Sequence, residues 1–127
     1  MVSSWKLRVL VSLFAVLAFG VRAESIEGMY RVEGNGPGAD QAYSGRAQVK
    51  KTGATYTIVW QIGEGGHVGT GILTSDILSV FFQPLDRRGA PGIASFRVIE
   101  GKITGGTWTV LGGNVVGDER WVPDRGI

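Results

Sequence analysis

Apolar and polar residues alternate with a period of two along much of this 127-residue chain, and no other feature constrains its fold as strongly. Tyr56, Ile58 and Trp60 alternate mostly with polar neighbours, and Ala94 and Phe96 do the same further along the chain. Because successive side chains of a strand point to opposite faces, this pattern gives each strand one apolar face and one wetter face. No segment after residue 23 shows the period of about 3.6 that a long amphipathic helix requires. The chain is therefore predicted to be all-β.

The alternating segments predict about eight strands. They cover residues 28–34, 43–51, 55–62, 67–74, 77–83, 93–100, 102–110 and 115–122. Most connections are short and contain glycine, which favours hairpins between strands that follow one another. Two longer connections, 35–42 and 84–92, are rich in Gly, Pro and Asp and are predicted to be the most mobile parts.

Eight strands in a meander leave two sheet edges exposed unless the sheet closes on itself. We therefore expect a small antiparallel up-and-down β-barrel, with a two-sheet β-sandwich as the alternative. The interior of an eight-stranded barrel is either filled by side chains or holds one small ligand. The choice between these interiors bears directly on function.

The first 23 residues have the three parts of a secretory signal peptide. Lys6 and Arg8 give a positive start, residues 9–19 are apolar, and Val21 and Ala23 are small residues before a cleavage site. The apolar run has 11 residues, whereas a membrane-spanning helix needs about 20. We expect cleavage after Ala23, no stable membrane span afterwards, and export of residues 24–127 as a single β-barrel-like domain to the periplasm or the exterior.

Loss of this segment would change the charge and leave a disulfide-free chain. Lys6, Arg8 and Arg22 leave with it, so 10 of the 13 basic residues remain against 11 acidic ones, a net charge of about −1. Such a balance argues against nucleic acid as a partner. The chain has no cysteine, which excludes thiol catalysis, iron–sulfur clusters and cysteine-type zinc sites.

No pattern of residues indicates catalysis or cofactor binding. His67 is the only histidine, so it cannot form a metal-binding cluster with others, and we interpret it as a turn or edge residue. No serine lies in a Gly-x-Ser-x-Gly motif. Residues 34–38 resemble a phosphate loop only in composition, because no Lys-Ser/Thr pair follows. We expect no catalytic residue, no metal, no cofactor and no enzymatic activity.

Seven aromatic residues and one carboxylate fall mainly on the predicted inward faces, and they form the candidate pocket or core. They are Tyr30, Tyr43, Tyr56, Trp60, Phe96, Trp108, Trp121 and Glu119. The aromatic rings either pack as a core or line a pocket for a small apolar or flat ligand. Glu119 shares the face of Trp121, where it either pairs with an arginine or backbone N–H groups or serves as a polar group at a pocket. Residues 77–82 are apolar on both faces, so one face is available to a partner.

Several segments together resemble a group of small exported bacterial proteins. The segments are Gly28–Gly34, Tyr43–Gly45, Tyr56–Gly63 and Gly117–Trp121. Some members of that group are labelled fibronectin-binding proteins, and the resemblance implies an extracellular protein as partner. Gly28 and Tyr30 are also similar, more weakly, to the Gly-x-Trp of lipocalin and avidin barrels, which implies a small-ligand carrier.

These observations favour a non-catalytic exported binding or interaction module, with an unknown extracellular protein as its partner. A carrier of a small apolar ligand is the first alternative, and a periplasmic inhibitor or structural protein of the cell envelope is the second.

Overall fold

Eight antiparallel strands form a closed barrel in the computed structural model, which describes residues 25–37 and 41–125. The strands are β1 (Gly28–Asn35), β2 (Ala42–Thr52), β3 (Thr55–Ile62), β4 (Gly65–Thr74), β5 (Ile77–Pro84), β6 (Gly92–Ile99), β7 (Lys102–Val110) and β8 (Gly117–Pro123). Each strand pairs with the next along the chain, and β8 pairs with β1. The predicted all-β up-and-down barrel is confirmed, and the sandwich alternative is wrong. The predicted signal peptide lies outside the described residues.

Two strands begin two residues away from their predicted starts, and every other strand boundary lies within one residue of its prediction. β4 begins at Gly65, two residues early, because the turn before it needs only Gly63, at a φ of 60°, and Glu64. β8 begins at Gly117 and not at Val115, because its pairing with β7 starts where Gly117 lies opposite Trp108.

The two ends of the barrel differ in their connections. At the end that we call the turn end, strands are joined by the two-residue turns 53–54, 75–76 and 100–101. At the opposite end, which we call the loop end, the longer connections 36–41, 85–91 and 111–116 lie beside the short turn 63–64. Both connections that the sequence predicts to be long therefore belong to the same end.

Side chains fill the barrel interior at the turn end. Val49, Ile58, Leu78 and Ile103 are each at most 1% exposed. The Tyr30 hydroxyl donates a hydrogen bond to the carbonyl of Ile26, 2.8 Å away, and accepts one from the Ile103 N–H at 3.4 Å. The segment that precedes β1 thus packs across this end, and open space in the interior is left to the loop end.

Candidate ligand-binding cavity

A partly enclosed cavity of about 250 Å³ lies inside the barrel at the loop end. Its lining comes from β2 to β8 and consists of Tyr43, Trp60, Ile62, His67, Phe82, Ala94, Phe96, Trp108 and Glu119. A dry apolar cavity of about 150 Å³ already accommodates benzene, and pockets for drug-sized ligands begin at about 300 Å³. The volume therefore suits a compact molecule of one or two rings.

Aromatic rings in edge-to-face contact form much of the cavity wall. The ring centroids of Trp60 and Phe82 are 6.0 Å apart, those of Phe82 and Trp108 are 6.2 Å apart, and those of Trp108 and Tyr43 are 6.4 Å apart. The planes of these pairs are inclined by 60° to 75°. Such tilted pairs are a favoured arrangement of aromatic side chains, so the rings support one another and leave the cavity between them.

Three of these rings lie over a glycine that is directly opposite on the neighbouring strand. The pairs are Tyr43 with Gly34, Phe82 with Gly92, and Trp108 with Gly117. A Cβ atom built on each glycine would lie 2.4 to 2.7 Å from a carbon of the opposing ring, closer than atoms pack. Glycine at these positions thus gives each ring room against the barrel wall, and a larger residue would push it toward the cavity.

Glu119 lies among the aromatic side chains and accepts hydrogen bonds from three neutral donors. The Tyr43 hydroxyl donates to Oε2 at 2.6 Å, and the indole N–H groups of Trp121 and Trp60 donate to Oε1 at 2.9 and 3.4 Å. Burial raises the pKa of Glu119 above its ordinary 4.5, although the hydrogen bonds, that of Tyr43 foremost, act in the opposite direction. The carboxylate is thus oriented by its neighbours without a cationic partner among these donors.

Within the described part of the chain, neither an arginine nor a backbone N–H is a donor to Glu119, in contrast to one of the two alternatives drawn from the sequence. Arg120 follows it directly, but alternation along β8 turns Arg120 outward, where it forms an ion pair with Glu33. The outward Asp118 accepts a hydrogen bond from the Asn35 amide at 3.1 Å. The outward arginine therefore pairs with a carboxylate on the rim, while the inward carboxylate of Glu119 accepts hydrogen bonds from aromatic side chains.

The wall also contains the indole N–H of Trp108, which lies near the Tyr43 hydroxyl. The indole Nε1 of Trp108 is buried and lacks a hydrogen-bond partner among the described residues, although it lies close enough to the Tyr43 hydroxyl to lower that group's pKa. That influence is outweighed, because burial and then the charge of Glu119 raise the pKa of Tyr43. Tyr43 therefore stays a protonated donor to Glu119.

His67 also lies in the cavity wall, so its interpretation as a turn or edge residue is wrong. It is the third residue of β4, and a closed barrel leaves no edge strand. Its ring stands 5.8 Å from that of Phe82 at 73°. Burial lowers the pKa of His67 from 6.5, and the charge of Asp86 acts in the opposite direction. The environment of the cavity thus favours the neutral imidazole.

The eight candidate residues divide between cavity and core. Tyr43, Trp60, Phe96, Trp108 and Glu119 line the cavity. Tyr30 and Trp121 belong to the buried core, and the partly buried Tyr56 packs against it. The ring centroid of Trp121 lies 5.1 Å from that of Tyr30 and 4.9 Å from that of Phe96.

Sequence reasoning missed four lining residues. These are Ile62, His67, Phe82 and Ala94. Ile62 and Ala94 have the same parity as Trp60 and Phe96, which is a signal that would have found them. Phe82 lies in a strand that is apolar on both faces, so parity alone does not distinguish it from Phe81.

Within residues 25–37 and 41–125, no three His, Asp or Glu side chains are grouped so that they could hold a metal ion. The same residues include no helix long and apolar enough to cross a membrane. Comparisons of the chain with protein-family models, with curated proteins and with solved structures found no match. The resemblance to exported fibronectin-binding proteins and to lipocalins accordingly stays a prediction.

Proposed function

We propose that this protein binds and carries a small, mainly apolar ligand in the cavity at the loop end, outside the cytoplasm. The observation that supports this most strongly is a 250 Å³ space with aromatic walls inside a barrel whose other end is packed. Small-ligand sites are typically concave and apolar with few polar groups. Here the polar groups of the lining are the side-chain ends of Tyr43, His67 and Glu119 and the indole N–H groups of two tryptophans.

The glycines of the wall support ligand binding over simple packing. A core that serves only stability is filled to the density of an organic crystal. In this barrel, Gly34, Gly92 and Gly117 instead let the opposing rings lie back against the wall. The interior at the loop end is thus shaped around a space.

Binding without catalysis accords with the chemistry of the lining. The Tyr43 hydroxyl is the one hydroxyl among the described lining residues, and its raised pKa makes it a poor nucleophile. We therefore place the protein among binding proteins. The proposed export depends on the segment before residue 24 and is tested separately, by the N-terminal sequence of the protein recovered outside the cytoplasm.

A binding assay with a pair of neighbouring variants tests the carrier function. Ala94 is 7% exposed and lines the cavity, whereas Ser95, next to it on β6, is outward and exposed. Ala94→Leu adds three carbons to the cavity, and Ser95→Leu adds similar bulk outside. We expect isothermal titration calorimetry to show that indole and naphthalene bind the wild type and Ser95→Leu, and that they bind Ala94→Leu at least about tenfold more weakly.

Equal affinity of these compounds for both variants would contradict the proposed location of the site. A lack of indole binding by the wild type at millimolar indole would contradict the carrier function. Circular dichroism of each variant serves as the control for folding.

An exposed apolar strip on the outside of the barrel favours a second candidate function, interaction with an extracellular protein. Phe81 on β5 is 47% exposed and lies opposite Ile93 on β6, which is 62% exposed. Ile72, on the neighbouring strand β4, is 60% exposed. Binding to immobilised fibronectin tests this candidate, since Phe81→Thr should weaken it while Ala94→Leu should not. Equal binding by both variants would exclude this surface.

A further inference from the structure

We infer that the preferred ligand of the cavity is a small organic cation, in which an ammonium group is joined to a compact apolar or aromatic body and lies beside Glu119; this rests on the proposed carrier function. The charge of the cavity, the faces of its aromatic rings and the charged groups on its rim all favour such a ligand.

Among the residues that the structure describes, the Glu119 carboxylate in the cavity has no basic hydrogen-bond partner. The three side chains that donate to Glu119 are neutral, and the described lining includes no lysine or arginine. His67 is its one basic residue, and burial lowers the pKa of that imidazole. A buried charge is costly unless it is paired, and the raised pKa of Glu119 reflects that cost. A ligand that brings a positive charge would relieve it.

Glu119 also has capacity for a further donor. A carboxylate offers about four acceptor positions, and the hydrogen bonds from Tyr43, Trp60 and Trp121 use three of them. An ammonium group carries three donors on one small centre. A charge-assisted hydrogen bond of this kind is about twice as strong as a neutral one.

The aromatic wall suits the same ligand. Rings attract a cation that lies over their faces, and tryptophan does so best. Because neighbouring rings among Tyr43, Trp60, Phe82 and Trp108 are inclined by 60° to 75°, the wall presents ring faces as well as edges. An apolar body would contact the same rings, so one ligand can use both properties.

Two carboxylates near the cavity act in the same direction. The carboxylates of Glu119 and Asp118 both raise the pKa of Tyr43, after the larger effect of burial, so the local field opposes negative charge. The nearby Arg120 on the rim is paired with Glu33. This field attracts cations and disfavours an anionic ligand beside Glu119.

Three compounds of matched shape test the inference on the full chain. They are 2-phenylethylamine, 2-phenylethanol and 3-phenylpropanoate, which carry positive, zero and negative charge at pH 7.5. Isothermal titration calorimetry should give the amine at least about tenfold tighter binding than the alcohol, as one charge-assisted hydrogen bond implies. The carboxylate should bind most weakly.

Glu119→Gln keeps the size of the side chain and an acceptor oxygen but removes the charge. We expect it to reduce amine affinity to about that of the alcohol. Alcohol affinity should fall by a smaller factor than amine affinity, because the alcohol carries no charge to lose its partner and most of its contacts are with the walls. Glu33→Gln, on the outer rim, is the matched control and should retain the preference for the amine. The three-compound comparison on the wild type decides the matter by itself if Glu119→Gln does not fold.

Two results overturn the inference and are distinguishable. Binding of the alcohol or the carboxylate as tightly as the amine would refute the cation preference while leaving the carrier function intact. Failure of all three compounds, together with indole and naphthalene, to bind the wild type would refute both.

Discussion

Replacing Gly117 by alanine should destabilise the barrel and narrow its cavity at the same time. The new Cβ would lie 2.7 Å from Cε2 of Trp108 and 2.5 Å from the backbone oxygen of Asn35. A ring can move, but the oxygen belongs to the paired strand β1, so part of the clash must be relieved by backbone displacement. Such overpacking costs about 1–3 kcal/mol, which lowers Tm by at least about 4 °C for about 100 residues.

Gly65→Ala is the matched control for this substitution. Gly65 also lies at the start of a strand, but its nearest atom to a new Cβ is the Ile62 oxygen at 3.6 Å, an ordinary contact. Urea denaturation should therefore leave Gly65→Ala at or slightly above wild-type stability, because alanine reduces the freedom of the unfolded chain. Indole should bind Gly117→Ala more weakly than it binds the wild type, and it should bind Gly65→Ala as tightly as the wild type. Equal stability and equal affinity of the two variants would refute the role of glycine in making room for Trp108.

Three further predictions concern stability. Ile103→Ala, at the packed turn end, should lower the free energy of unfolding by about 2–5 kcal/mol, whereas Ile72→Ala on the outer surface should change it by at most about 0.5 kcal/mol; equal losses in urea titrations would contradict the described core. Tyr30→Phe leaves the Ile26 carbonyl without its donor, so about 1–3 kcal/mol should be lost, and wild-type stability would contradict that role. Burial raises the pKa of Glu119 above 4.5, so the folded state holds this proton more tightly and stability falls as pH rises from the ordinary to the raised pKa. The glutamine of Glu119→Gln does not titrate, so the stability of this variant relative to wild type should increase as pH rises between the two pKa values and stay constant below them. A stability difference that does not depend on pH would contradict the raised pKa.

The strands and their inward faces follow from the sequence because a period of two needs only local information. Alternation places Tyr43, Trp60, Phe96, Trp108 and Glu119 inside once the sheet closes. Short turns fix which strands are neighbours. For these reasons the barrel and seven of the nine lining residues can be predicted from the sequence: the five named here and, by the same parity, Ile62 and Ala94.

The cavity itself could not be predicted from the local alternation of apolar and polar residues, because it depends on the register between strands. Whether Trp108 fills the centre or lies against the wall depends on Gly117 being its cross-strand neighbour. The same holds for Phe82 and Gly92. The sequence contains these glycines, but it does not reveal which ring each one faces. β4 likewise begins at Gly65 because the turn before it has only two residues. His67 is therefore the third residue of β4 and lies in the cavity wall.

The most direct test of the cavity is residue-resolved binding by nuclear magnetic resonance. Titration of the 15N-labelled full chain with 2-phenylethylamine should shift the indole N–H signals of Trp60 and Trp108 and the amide of Glu119 most strongly. The amide of Ile103 at the turn end and that of Ile93, whose side chain is on the outer face, should change little. Shifts centred on Ile93 and its outward neighbours, or no shifts at saturating amine, would contradict the account of a ligand held inside the barrel.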